Sequence, residues 1–319
     1  IYSLNVNGGS EFDLDQIEHD TQALWTNYVR GVAKFLQAAG HSLTGFDGLV
    51  HSTVPFSSGV SSSAAMEMAV GVMFQFVSGF RIDPVQLALI GQQAENKFVG
   101  VNSGILDQYS SAMGEAGCTL LLDCKHLTSR SVPIVEDLQV VICDTRAKRT
   151  LAGTEYGERR AQCEEGVRLL QQWYPDIVAL RDVTLEQFSA HEKDLPSIVA
   201  KRCRFIIEED QRVLDLAEAL TTDDAACLQQ LFAASYAGAR DLYEIGAPAM
   251  EAMMRAMLDG PGVVAARQAG AGFGGCMVAL ARRDRVEAFA DHVMRVYAAE
   301  TSIEPKIYPV QAAPGAGPL

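Results

Sequence analysis

The segment from Pro55 to Ala65, Pro-Phe-Ser-Ser-Gly-Val-Ser-Ser-Ser-Ala-Ala, carries the strongest chemical signal in the chain. An apolar run from Gly48 to Val54 reads as a strand ending at Pro55. Small residues then turn the chain, and a helix is predicted from about Ser61. A helix N-terminus offers N–H groups without intrahelical partners and a partial positive charge. Gly59 lets the backbone approach an anion closely, while Ser61, Ser62 and Ser63 add hydroxyl donors. Such a nest suits a polyphosphate without needing a lysine. Taken alone, the segment reads equally as a serine-rich cap on a buried helix, and spacing does not separate the two.

Competing nucleotide motifs fail. No GxxxxGK[ST] occurs. Gly270-Ala271-Gly272-Phe273-Gly274-Gly275 satisfies GxGxxG, but a dinucleotide fold requires a helix after that turn. Here Cys276-Met277-Val278-Ala279-Leu280 follows, a strand pattern, so the motif reads as a glycine turn between strands.

The elements that must position this chemistry fall into two halves. Strands are expected over Ile1–Val6, Gly48–Val54, Thr119–Leu122 and Gln139–Cys143. One helix is expected from an Asp20 cap to Gly40, with Leu24, Tyr28, Val32, Phe35 and Leu36 as its apolar stripe, and another starts at Asp83-Pro84. The second half predicts helices over Glu155–Trp173, Ser197–Leu220 and Ala226–Tyr243. Strands over Gly262–Arg267 and Cys276–Ala281, a helix over Asp284–Ala299 and a strand over Lys306–Val310 follow. From Gln139 onward this is a ferredoxin-like order with an enlarged first crossover. The tail from Ala313 to Pro318 is expected to be disordered. The predicted fold class is α+β with two domains, 1–134 and 135–319, as befits 319 residues.

Composition narrows the class. With 48% hydrophobic and 21% charged residues the chain reads as globular. A net charge of −14 opposes nucleic acid or anionic membrane as partners, though local donors and a metal can still receive ATP. Seven cysteines, an odd number without CxxC or Cys/His ligand spacing, read as reduced cytosolic thiols, most of them buried. No signal peptide or membrane span is read, so a cytoplasmic protein is expected.

Four segments, in order, resemble the galactokinase branch of the GHMP small-molecule kinases. They are Trp25–Val32, the Pro55–Ala65 loop, Ala94–Gln108 (AENKFVGVNSGILDQ) and Gly270–Cys276. The Gly104-Ile105-Leu106-Asp107-Gln108 segment and the stretch from Glu155 to Glu164 narrow the resemblance to that branch. It implies a GHMP kinase fold, with an N-terminal S5-domain-2-like domain and a ferredoxin-like C-terminal one. It also implies ATP and Mg²⁺ as cofactors, and transfer of the γ-phosphate to the anomeric hydroxyl of a sugar, galactose first. By position, Asp107 matches the catalytic aspartate, and Ser62 and Glu95 the residues at Mg²⁺. Gly59, Ser61, Ser62 and Ser63 match the phosphate loop, and Trp25 the nucleobase pocket. Gly104 and Tyr156 match sugar contacts. Gly270, Gly272, Gly274 and Gly275 form the third family motif, expected to close a cleft from the second domain. Phosphoryl transfer asks mainly for positioning and charge neutralisation, which these residue types supply. Singly, Asp107 reads as a helix cap, Glu95 as a solvated residue, Trp25 as core and Tyr156 as packing.

The sequence also departs from the family. The first motif, an Arg followed by Gly-Glu-His-x-Asp, has no counterpart before Trp25. A missing N-terminal segment is expected rather than a natural loss, and little activity is expected if this chain is complete. Val60 stands for Leu, Ser103 for a common Cys, and Ser235–Glu244 lacks the family's histidine and one of its paired acids. Related kinases of galacturonate, arabinose or N-acetylgalactosamine therefore stay open, as does a non-catalytic sensor of sugar and ATP. A monomer or weak homodimer is expected.

Overall fold

The computed structural model describes residues 1–56, 58–147, 152–222, 224–270 and 272–318, with the side chains of 152–154 and 156 outside that description. Two compact units emerge, the first running from Ile1 to Ser131 and taking in the C-terminal stretch from Ala312, the second Val132–Gln311. The sequence reading ran the second domain through to 319, and the packing of the tail differs from it.

In the first unit, β1 (Tyr2–Ser3) lies between β2 (Gly8–Gly9), antiparallel, and β3 (Leu49–Val50), parallel. The predicted strands at Ile1–Val6 and Gly48–Val54 shrink to these short pieces. Asn7 turns the backbone at φ 50°, and the Asn5 side chain takes over the pairing with Ser52, bonding its N–H and its carbonyl at 2.8 Å each. Helix α1 is Thr26–Ala38, and it does not start at Asp20. Asp20 caps a separate turn instead, accepting the N–H groups of Gln22 and Ala23 at 2.8 Å, and these bonds help hold its carboxyl down to about 2. Leu24 therefore falls on the turn and is exposed, while Val32 and Leu36 are fully buried.

After β3 (Leu49–Val50) come α2 (Ser62–Ser78) and α3 (Pro84–Gln93). α3 begins as expected, with Asp83 accepting the N–H of Val85 at 2.9 Å and Pro84 in the first turn. Asp83→Ala should lower unfolding free energy by about 1 kcal/mol, read by urea denaturation; a change below about 0.3 kcal/mol would show the cap to be idle. α3 runs on as a π-helical segment, Ala94–Val99, closed by Gly100 in the left-handed region. Then follow α4 (Leu106–Met113) and the paired strands β4 (Cys118–Asp123) and β5 (Thr128–Pro133). The core gathers Val29, Val32, Leu36 and Phe74 on one side and Met68, Leu87, Ala88 and Tyr109 on another. The tail is ordered onto α4, contrary to the expectation of disorder: Gly315 N–H donates to Gly114 O and Ala316 N–H to Ser111 O, both at 2.8 Å.

The second unit runs through β6 (Leu138–Asp144), α5 (Ala152–Leu170), α6 (Leu185–His191), α7 (Ser197–Thr222), α8 (Ala225–Asp241) and α9 (Pro248–Leu258). It closes with β7 (Val263–Gln268), β8 (Cys276–Arg282), α10 (Val286–Thr301) and β9 (Lys306–Val310). The sheet order β7-β8-β6-β9, antiparallel throughout, is the ferredoxin-like arrangement, with α5 to α9 filling the first crossover. α6 and α9 were not anticipated, although Thr184 with Gln187 forms a capping box for one and Pro248 opens the other. Apolar faces meet in a core of Val141, Met253, Met257, Ala279, Phe289, Val293 and Tyr297. All seven cysteines are thiols, but only Cys143, Cys203 and Cys276 are buried, fewer than expected. Among the described residues no helix is long and apolar enough to cross a membrane.

Candidate active site

Apart from Ser57, which lies outside the described residues, the Pro55–Ala65 segment becomes a loop feeding α2. Gly59 has φ 82° and Ser61, at the N-cap, φ 60° and ψ 42°. A serine in the left-handed region carries strain of the order of 1–3 kcal/mol. No side-chain cap bond forms from Ser61, and the first helical bond is Ala65 N–H to Ser61 O at 3.1 Å. The amides of Ser62, Ser63 and Ala64 are thus left uncapped, with the hydroxyls of Ser61, Ser62 and Ser63 beside them and all three serines only partly buried. This is a donor nest suited to an anion rather than a self-satisfied cap.

The same helix carries one member of a buried acid cluster. Glu67, on α2, is fully buried, and Glu95, on the π segment, is 5% exposed. Gln108, on α4, is fully buried between them and donates Nε2 to Glu67 Oε2 at 3.0 Å and to Glu95 Oε2 at 2.8 Å. The Ser103 hydroxyl donates to the same Glu95 oxygen, and Ser103 is itself held by Asn96, whose Oδ1 accepts the Ser103 N–H at 2.9 Å. Glu95 Oε1 accepts no hydrogen bond from any described residue. Burial pushes the Glu67 carboxyl up to about 9, with the charges of Glu95 and Asp107 adding to the rise. Burial raises the Tyr28 hydroxyl on α1 as well, helped by Glu95 and Glu67.

Asp107 is exposed in the first turn of α4, one residue before Gln108. Gly104 is exposed just before that helix, and a Cβ there would meet no atom within 4 Å, so packing does not demand a glycine. The nest, Glu95, Gly104 and Asp107 all belong to the first unit. Trp25 sits at the N-cap position of α1, partly buried against the core around Val29 and Phe74.

The second unit holds the remaining predicted residues. Gly270, Gly272, Gly274 and Gly275 all have positive φ in the turn joining β7 to β8, as does Phe273. Gly272 is required there, since a Cβ would stand 2.5 Å from Ile245 O. Ile245 O accepts the Phe273 N–H at 2.8 Å, and Gly275 O accepts the Thr145 hydroxyl at 2.8 Å. Ala271, within the turn, lies outside the described residues. Tyr156 lies on α5, its side chain likewise outside the description.

Sequence reasoning did not single out Gln108, Ser103 or Glu67 for this site. The available signal was Glu67 itself, a carboxylate within the apolar run Ala64–Phe80.

The profile of the GHMP kinases N terminal domain matches residues 27–115, and that of the GHMP kinases C terminal domain residues 216–299. A galactokinase of Roseiflexus sp. (strain RS-1) is 43% identical over 306 residues, 96% of this chain and 78% of that protein. The chain belongs to the galactokinase family of GHMP kinases. Another galactokinase, from Chloroflexus aurantiacus, is 41% identical over 99% of this chain and 81% of its own length. The crystal structure of Lactococcus lactis galactokinase complexed with galactose superposes with a TM-score of 0.88 at 34% identity, covering 99% of this chain and 82% of that one. A mevalonate kinase shares the two-domain GHMP kinase fold at TM-score 0.62 and 15% identity. Both halves of the architecture thus have the GHMP kinase fold.

Proposed function

We propose that this chain transfers the γ-phosphate of ATP to the anomeric hydroxyl of D-galactose, giving galactose 1-phosphate and ADP. The observation that carries the reading is an open helix N-terminus and an exposed carboxylate, Asp107, within one unit of a galactokinase-family chain. The first unit is the nucleotide domain. Backbone and hydroxyl donors of Gly59, Ser61, Ser62 and Ser63 hold the phosphates. Trp25 borders the nucleobase pocket, Gly104 and Tyr156 contact the sugar, and the glycine turn Gly270, Gly272, Gly274, Gly275 acts as the third family motif. Asp107 accepts the proton of the anomeric hydroxyl while that oxygen attacks the γ-phosphorus and ADP departs.

The residues fit a magnesium ion. Among the described residues no group of three or more His, Cys, Asp or Glu could hold a metal, but Mg²⁺ bound with a nucleotide keeps waters and needs few protein oxygens. The unbonded Oε1 of Glu95 and the Ser62 hydroxyl are such donors. When bound, the ion neutralises phosphate charge.

The test is ADP release from MgATP by protein made from the full gene, across galactose, galacturonate, arabinose and N-acetylgalactosamine. Galactose should give the highest kcat/KM by about tenfold or more, a difference of about 1.4 kcal/mol in transition-state binding. A higher value on another sugar would reassign the substrate, and ATP binding without turnover on any sugar would make the protein a sensor.

A further inference from the structure

Gln108 sits one residue beyond the proposed base, yet it faces away from solvent and makes its contacts with two acids. We propose that Gln108 is a positioning residue for Glu95: its carboxamide nitrogen gives one hydrogen to Glu95 and the other to buried Glu67, fixing one oxygen of Glu95 and leaving the other free for a cation. The inference rests on the reading of Glu95 as a metal ligand.

Three observations support it. First, a carboxamide nitrogen carries two hydrogens, and here two carboxyl oxygens from different elements stand at 2.8 and 3.0 Å from it. The reverse orientation of the amide would leave both of these carboxyl oxygens without its two hydrogens. Second, the arrangement leaves Gln108 Oε1 and Glu67 Oε1 buried with no partner among the described residues, a penalty that an apolar core would avoid. Third, α3 makes room for it. A Cβ on Gly91 would stand 3.2 Å from Gln108 Cγ, 3.3 Å from Glu67 Oε2 and 2.5 Å from Met68 Cε. Burial raises the proton affinity of Glu67, in keeping with a neutral acceptor for the Gln108 hydrogen. Ser103 reinforces the clamp by donating to the same Glu95 oxygen.

The experiment measures Mn²⁺ affinity by electron paramagnetic resonance in the presence of ADP, with the melting temperature recorded beside it, on full-length protein. Gln108→Leu should weaken Mn²⁺ binding by about tenfold or more, the size expected for an outer-shell partner. Glu67→Leu should weaken it in the same direction, and Glu67→Gln, which keeps an acceptor oxygen, should recover most of the loss. Should Gln108→Leu fail to fold, the contrast between Glu67→Leu and Glu67→Gln decides. Melting shifts with Mn²⁺ affinity held within twofold would overturn the positioning role and leave only a structural one. Glu95→Gln separates the two layers of the argument. If it binds Mn²⁺ like the parent, the metal-ligand reading has failed and the inference with it. If it loses Mn²⁺ while Gln108→Leu and Glu67→Leu do not, only the inference has failed.

Discussion

Asp107→Asn is expected to lower kcat on galactose by roughly 10²- to 10⁴-fold, the range associated with loss of a positioned general base. Asparagine has the same shape and keeps a hydrogen-bonding oxygen, but it cannot take the proton of the attacking hydroxyl. Stability should hardly change. Asp107 is exposed in the first turn of α4, where an acidic side chain interacts favourably with the helix dipole by about 0.3–1 kcal/mol, so a loss of that order is the most to expect. Substrate affinity should move less than kcat, because the role lies in the transition state. Rapid-quench kinetics with a parallel urea titration reads all three. Turnover within threefold of the parent would remove Asp107 from the chemistry, and a collapse of stability would mean the loss reflects unfolding.

Glu67→Gln should stabilise the protein, and by an amount that depends on pH. The folded carboxyl titrates near 9 rather than at its ordinary 4.5, because burial disfavours its charge. Between those two values the folded state holds more protons than the unfolded one, so stability falls as pH rises through the window. The slope is at most about 1.4 kcal/mol per pH unit, so the penalty is on the order of a few kcal/mol by pH 8. Glutamine fills the same volume and still accepts the Gln108 hydrogen, but carries no charge to bury. The variant should gain roughly 1–3 kcal/mol at pH 8 and converge with the parent toward pH 5. Urea titrations from pH 5 to 8 test this. Parallel pH profiles for the two proteins would contradict it, as would a loss of more than about 1 kcal/mol at pH 8.

The residues explain which parts of this fold could be read in advance. The ferredoxin-like half was legible because Val263–Gln268, Cys276–Arg282 and Lys306–Val310 are short apolar runs bounded by glycine, charge or proline. The glycine turn between the first two could be told from a dinucleotide fingerprint by the strand that follows it. α4 was harder to see, since Leu-Asp-Gln-Tyr-Ser-Ser-Ala-Met is short and half polar. The docked tail was missed because small residues usually signal disorder, whereas here smallness is what lets Gly315 lie against Ala112 and Gly114.

At the site, the anion nest was visible as residue types, but its openness was not. That property depends on Ser61 adopting a left-handed backbone, which a favoured capping residue seldom does. Glu95 was legible only through family resemblance. Its burial follows from the π-helical turn at Ala94–Val99, which continues α3 without a break in sequence pattern. Glu67 was visible only as an interruption in an apolar stretch. Its meaning depends on Gln108, forty-one residues away in sequence.

The central claim is that phosphate moves from ATP to the sugar's anomeric oxygen. The most direct test is to incubate full-length protein with MgATP and galactose and locate the transferred phosphate by phosphorus–proton coupling in the product. Coupling to the proton on C1, formed in step with ADP, is the expected result. Phosphate on another carbon, or bound ATP with no phosphorylated sugar, would contradict it.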